Sequence, residues 1–119
     1  MRLYLAGPMR GYPDFNFPAF HEGASRLRAA GYEVFSPAEK DLARVGDIFT
    51  GMKGNDAELE AVGFSLADAL LIDLTYIARH ADAVALLDGW EASKGVAAEV
   101  ALAKALNKPV GPLASFLGE

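Results

Sequence analysis

The sequence contains no cysteine and only two histidines, His21 and His80. The lack of thiols excludes a disulfide framework, a zinc site built on thiolates and a cysteine nucleophile. The two histidines do not have metal-ligand spacing, and both fall at predicted surface positions beside charged residues. We therefore expect no bound metal ion.

Long apolar runs and an excess of positive charge are also missing. No stretch of about 18 uncharged apolar residues occurs, and the run near the start is too short for a signal peptide, so we expect a cytoplasmic protein without a membrane partner. Lys and Arg number 11 against 16 Asp and Glu, a net charge of −5. This balance argues against a nucleic-acid polymer as partner, but a mononucleotide phosphate needs only one or two cations.

The 119 residues fit one domain, spanning 1–119. Strands are predicted over 2–6, 32–35, 83–87 and 110–113. Helices are predicted after Asn16, over 56–77 with a possible break near Asp73, and after Ser93, while 38–55 is predicted to be a lid-like loop. This order predicts an α/β fold: a single flavodoxin-like (Rossmann-like) domain with a four- to five-stranded parallel sheet and helices on both faces. Ligands bind such sheets beyond the carboxyl ends of the strands.

Two loops at that edge are candidate phosphate sites. In the first, Gly7 permits close backbone approach and Arg10 offers a cation, although a tight turn with a solvated arginine is equally compatible with the pattern. The second is Ser93-Lys94-Gly95 at a helix start, where free N–H groups and the helix dipole favour an anion. Simple capping by Ser93 is the alternative.

Glu99 is the most informative acid because it shares a helix side with Val96, on a stripe that should be apolar. A buried carboxylate is costly unless paired, so this position suggests a function, whereas a surface pair with Lys104 is the structural alternative. Asp73 is another acid at a position where helical spacing predicts an apolar residue. Alternatively, it caps a new helical turn. Tyr4 alternates with apolar residues near the carboxyl end of the first strand, where its hydroxyl could reach the site.

The ordered set of these segments resembles the nucleoside 2-deoxyribosyltransferase superfamily, in particular its nucleoside 5'-monophosphate N-glycosidase branch. The resemblance spans nearly the whole chain. The resemblance is based on the segments YLAGPMRG (4–11), DLT (73–75), DAVALL (82–87) and SKGVAAE (93–99).

The resemblance implies a role for each candidate residue. Glu99 would attack the anomeric carbon as nucleophile, Tyr4 would orient that carboxylate, and Asp73 would assist near the base as general acid. Four residues would hold the 5'-phosphate: Gly7, Arg10, Ser93 and Gly95. The implied reaction is hydrolysis of the N-glycosidic bond of a (2'-deoxy)nucleoside 5'-monophosphate through a glycosyl-glutamate intermediate, with no metal or organic cofactor.

Two other readings stay open at this point. The chain could exchange bases as a nucleoside 2-deoxyribosyltransferase, or it could bind nucleotides as a non-catalytic sensor on the same fold. Tyr76 and Phe64 are predicted to be exposed helix aromatics, which leads us to expect a homodimer or higher homo-oligomer. Trp90 would stack on a base or cover the sheet edge.

Overall fold

Four parallel strands form the centre of the molecule, which the structure, a computed structural model, describes over residues 1–119. They are β1 (Arg2–Ala6), β2 (Glu33–Phe35), β3 (Ala83–Leu86) and β4 (Val110–Pro112). Their order in the sheet is β2-β1-β3-β4, and Tyr4 of β1 lies opposite Phe35 and Val84. The predicted α/β fold with a parallel, flavodoxin-like sheet is confirmed, with four strands.

Six helices complete the fold: α1 (Phe17–Ala29), α2 (Pro37–Val45), α3 (Asp56–Ala61), α4 (Leu66–Arg79), α5 (Lys94–Ala105) and α6 (Leu113–Phe116). Helix α1 packs on the sheet face that carries Leu3 and Leu5, and α6 borders the same core. Helices α4 and α5 pack on the opposite face, which carries Tyr4 and Ala6. Because side chains alternate along a strand, Tyr4 points toward α4 and α5.

The segment predicted as a loop over 38–55 was partly wrong, because α2 occupies its first half. Pro37 stands at the start of this helix, where its missing N–H costs nothing. Ala38 and Asp41 are buried one turn apart on the same face. The helical pattern was missed for two reasons. Ser36-Pro37 was interpreted only as the end of strand β2, and Asp41, one of the inward-facing residues, is charged.

The predicted helix break near Asp73 was also wrong. The chain breaks earlier, at Gly63 with φ +72°, and α4 begins at the N-cap Ser65, whose Oγ accepts the Asp68 N–H at 3.1 Å. Helix α4 then runs unbroken through Asp73. The capping alternative for Asp73 is therefore excluded.

A left-handed turn precedes α1. Asp14, Phe15 and Asn16 have φ values of 54°, 52° and 62°, a conformation that costs roughly 1–2 kcal/mol per non-glycine residue. Side-chain bonds hold it: the Asp14 carboxylate accepts the Gly51 N–H at 2.6 Å, and the Asn16 amide donates to the Pro8 carbonyl at 2.9 Å. Asn16 therefore does not act as the predicted side-chain cap of α1.

The two aromatic residues expected on the surface are packed within the chain. The Tyr76 ring stacks on Phe35 with centroids 4.4 Å apart, and the Phe64 ring packs edge-on against Phe49 at 5.5 Å. The predicted homo-oligomer loses this support and stays a prediction. No helix in the structure combines the length and apolar character needed to span a bilayer.

The segment between α2 and α3 packs against the loop that follows β1. Substitution of two glycines in this segment, Gly51 and Gly54, tests that packing. Both Gly51 and Gly54 have positive φ, but a Cβ on Gly54 would collide with the Tyr12 backbone, whereas Gly51 faces open space. Gly51→Ala should cost about 1–2 kcal/mol of unfolding free energy from backbone strain alone. Gly54→Ala should cost clearly more, because the Gly11 N–H bond to the Gly54 carbonyl (2.7 Å) must also yield. Equal losses in urea unfolding would contradict this packing.

Candidate active site

A cavity of about 150 Å³ opens beyond the carboxyl end of β1 and extends to Ser93, on the segment that follows β3. In the order β2-β1-β3-β4, the chain connections diverge between these two strands, which is where ligands bind in open α/β sheets. All seven residues predicted from the sequence line this one cavity: Tyr4, Gly7, Arg10, Asp73, Ser93, Gly95 and Glu99. The fold therefore brings together residues that are up to 95 positions apart.

A hydrogen bond between Tyr4 and Glu99 lies at the floor of the cavity. The Tyr4 hydroxyl donates to Glu99 Oε2 at 2.5 Å, and Glu99 is only 5% exposed. Glu99 shares the inward stripe of α5 with Val96 and Ala103, spaced three and four residues away. It makes no ion pair with Lys104, so the surface-pair alternative is wrong.

Asp73 joins this pair from α4. It is buried on the helix face that also carries Ala69 and Leu70, which line the same cavity. The Tyr4 hydroxyl donates to Glu99, and it also lies close enough to the Asp73 carboxyl to lower the pKa of that group. Two carboxyl groups and one phenol thus share a water-poor space.

Burial dominates the electrostatics of this group. It raises the pKa of Glu99 to about 8, with the Tyr4 hydrogen bond opposing the shift and the negative charge of Asp73 adding to it. Burial also raises the pKa of Asp73 to about 7. The pKa of Tyr4 is raised well above its usual range by burial and by both acids, so its hydroxyl remains a neutral donor. Near neutral pH the two carboxyls titrate as a pair.

The start of α5 forms a second wall of the cavity. Ser93 caps the helix, its Oγ accepting the Val96 N–H at 3.3 Å, so the capping role is confirmed. Gly95 follows within the first turn, and a Cβ there would meet only Ser93 Oγ at 3.9 Å. Packing does not require glycine at this position. Its missing side chain leaves the positive end of the helix dipole open to the cavity.

The first loop contributes Gly7 and Arg10 in different ways. A Cβ on Gly7 would come within 2.9 Å of the Leu87 side chain, so close packing alone requires glycine there. Arg10 is 42% exposed, and its Nη1 lies 3.5 Å from Asp56 Oδ2 at the start of α3. An exposed ion pair of this length is weak, so an anionic ligand can compete for the guanidinium.

Sequence reasoning missed two parts of the cavity. One is an aromatic wall of rings, which comprises Phe15, Phe17, Phe20, Phe49 and Phe64. The other is Asp41 of α2. Its spacing of three residues from both Ala38 and Arg44 was a usable signal, but it fell within the segment predicted as a loop. Trp90, in contrast, does not line the cavity and packs against the core around Tyr4.

Asp41 is 5% exposed and accepts no hydrogen bond within the chain. Its only ionic partner is Arg44, whose Nη1 lies 3.5 Å from Asp41 Oδ1 and is itself buried without a hydrogen bond. Burial raises the pKa of Asp41 to about 6 against the lowering effect of Arg44. No group of three or more His, Asp or Glu side chains is arranged to hold a metal ion.

Residues 1–111 match the family described as a domain of unknown function, DUF4406. The chain belongs to this family. The matched region contains every residue that lines the cavity. No curated protein matches the chain. The family description names no activity.

The raised pKa values of the buried acids predict that stability falls as pH rises. A native pKa above the unfolded value means that the native state holds protons that the unfolded state has lost, so the unfolding free energy decreases from about pH 5 to about pH 8. Each such proton contributes about 1.4 kcal/mol per pH unit. Urea unfolding at pH 5.5, 7 and 8.5 should show this decline. In Glu99→Gln the unfolding free energy should decline less steeply with pH than in the wild type.

The matched control is Glu60→Gln, which neutralises an exposed acid of α3. It should leave the slope as in the wild type. If Glu99→Gln and Glu60→Gln had the same pH dependence, Glu99 would not be the buried acid that titrates.

Proposed function

We propose that this protein hydrolyses the N-glycosidic bond of a (2'-deoxy)nucleoside 5'-monophosphate, releasing the free base and (deoxy)ribose 5-phosphate. The observation that carries this proposal is the buried hydrogen bond from Tyr4 to Glu99 beside the open start of α5. A carboxylate oriented by a neutral donor suits nucleophilic attack on an anomeric carbon. A helix start one turn away suits a phosphate on the same sugar.

In the first step, ionised Glu99 attacks the anomeric carbon as the bond to the base breaks. The bond electrons pass to the base, which takes a proton from Asp73. A glycosyl ester of Glu99 remains, as in retaining glycosidases. Burial keeps a proton within the pair near neutral pH, and the Tyr4 hydrogen bond stabilises the charged form of Glu99. The pKa of Glu99, about 8, lies above that of Asp73, about 7, so the mechanism requires the proton to pass from Glu99 to Asp73 when substrate binds.

In the second step, water attacks the anomeric carbon of the ester and displaces the Glu99 carboxylate. The Asp73 carboxylate takes the proton from this water, which restores both groups to their starting states. The aromatic wall of the cavity offers an apolar surface against which a base would pack. No step requires a group outside this chain other than substrate and water.

Incubation with a panel of nucleoside 5'-monophosphates, followed by chromatography for free base, tests the proposal directly. Release of base together with a sugar 5-phosphate is the expected result. Labelled adenine added to the reaction distinguishes hydrolysis from base exchange, since its incorporation into nucleotide would identify a transferase. Tight nucleotide binding with no base release would instead indicate a sensor, and would end the hydrolase proposal.

Glu99→Gln and Glu99→Ala should abolish turnover while the fold persists, because no neighbouring residue replaces a covalent nucleophile. The loss should exceed 10²-fold, the order expected when a covalent catalyst is removed. Circular dichroism establishes the fold, and initial rates of base release measure the effect. Residual activity above about one per cent of wild type would rule Glu99 out as nucleophile.

Arg10→Ala should lower kcat/KM on a monophosphate by roughly 10- to 150-fold, the equivalent of one charge-assisted contact of about 1.5–3 kcal/mol. Binding energy from the phosphate also positions the anomeric carbon, so kcat should fall as well as affinity. On the matching unphosphorylated nucleoside, the same change should have little effect. Wild type and variant are therefore compared on both substrates. Equal damage on both would remove Arg10 from the phosphate site and favour the transferase reading.

A further inference from the structure

We propose that Asp41 determines which base the cavity accepts, and that its carboxylate selects a guanine-type base, one with a ring N–H beside an exocyclic amino group. This inference rests on the proposed function, because it names the base that is released. The steps described above leave Asp41 without a role. It nevertheless lines the cavity and is almost completely buried there.

The Asp41 carboxylate is a buried acceptor that lacks a donor. It accepts no hydrogen bond within the chain, and its ionic partner Arg44 lies at 3.5 Å without forming one. A buried carboxylate is costly unless donors satisfy it, and an ionised carboxylate has about four acceptor positions, which Arg44 alone does not fill. Because Asp41 lines the cavity, the cavity is the side from which further donors reach it.

A chain of contacts places Asp41 at the aromatic wall. The Arg44 guanidinium beside it lies 5.8 Å from the centre of the Phe64 ring, and that ring packs edge-on against Phe49 at 5.5 Å. The Phe49 ring in turn packs against Phe17 at 4.7 Å, and all three rings line the cavity. The carboxylate therefore borders the rings against which the base would pack.

The donor pattern of the common bases decides which of them fits this carboxylate. Guanine presents its N1–H and its 2-amino group side by side, so it donates to both carboxylate oxygens at once. Adenine and cytosine place a ring acceptor beside the amino group, and uracil and thymine flank one N–H with two carbonyl oxygens. Each of these would turn an acceptor toward Asp41, which with a pKa of about 6 is mainly ionised above neutral pH.

Asp41 and Asp73 would act on different edges of such a base. A purine that presents N1 and its 2-amino group to Asp41 keeps N7, on its other edge, free to take the proton that the proposed reaction draws from Asp73. Asp73 lines the same cavity from α4, which packs against α2. One carboxylate thus selects the base and another protonates it.

Binding to Glu99→Gln, in which the proposed cleavage does not proceed, tests the inference apart from catalysis. Calorimetry compares guanosine, inosine and adenosine 5'-monophosphates. The guanosine nucleotide should bind roughly 10- to 150-fold more tightly than the inosine nucleotide, whose base lacks the amino group and so one charge-assisted hydrogen bond. The adenosine nucleotide, which turns a ring acceptor toward the carboxylate, should bind more weakly still. Equal affinities for the guanosine and adenosine nucleotides would overturn the proposal.

Asp41→Asn, in the same Glu99→Gln background, should reverse a preference. An amide offers one acceptor and one donor, which match the N1–H and the C2 carbonyl of xanthine, so xanthosine 5'-monophosphate should now bind more tightly than the guanosine nucleotide. A merely structural role would not produce this reversal. Asp68→Asn, the same change at an exposed acid outside the cavity, should retain the preference for guanosine. The same retention in Asp41→Asn would contradict base recognition by this residue.

A second variant covers the case in which Asp41→Asn does not fold. In Asp41→Ser the side chain is too short to pair with both donors, so the guanosine and inosine nucleotides should bind equally, and a retained preference would refute the assignment. Failure of every monophosphate to release base from the wild type would refute the proposed function, while the binding comparison still decides the base. Base release from the adenosine nucleotide as readily as from the guanosine nucleotide would refute the base assignment alone.

Discussion

The site depends on a single constraint: a phenol from the central strand and a carboxylate from the last long helix must meet where water is nearly excluded. Tyr4 reaches Glu99 because β1 alternates its side chains between the two sheet faces and α5 packs on the face that Tyr4 occupies. An unpaired carboxylate at this depth would be strongly destabilising. The hydrogen bond makes the ionised form accessible, and burial keeps its pKa high enough for protons to be exchanged near neutral pH.

Around this bond, the cavity has polar and apolar parts of its lining. The start of α5 and the first loop offer a helix dipole, a glycine without a packing requirement and an arginine in a weak ion pair. The aromatic rings of the same cavity are held partly by the left-handed turn at 14–16, whose strain is offset by hydrogen bonds to Pro8 and Gly51. A polar anchor, an apolar wall and a buried carboxylate in one cavity are the features on which the proposed cleavage of a phosphorylated N-glycoside rests.

Much of this arrangement was predictable from the sequence, for physical reasons. The strands were found because parallel strands are short apolar runs bounded by Gly and Pro, and Glu99 was found because an acid on an apolar stripe is conspicuous. Asp41 and the aromatic wall were not found. Asp41 lies on α2, where a charged inward-facing residue interrupts the apolar helical pattern. The aromatic wall depends on the turn at 14–16, whose left-handed backbone is not expected for residues other than glycine. Tyr76 and Phe64 were misjudged because helix periodicity alone does not show which loops and strands cover a ring.

An attempt to trap the proposed covalent intermediate on Glu99 is the most direct test of this account. The protein is mixed with a monophosphate substrate whose 2'-fluorine slows hydrolysis of the ester, quenched in acid and digested, and the peptide that contains Glu99 is examined by mass spectrometry. The account predicts a mass increase equal to the fluorinated sugar 5-phosphate on Glu99, and none in Glu99→Gln. Release of base without any adduct on Glu99, or an adduct on another residue, would contradict it.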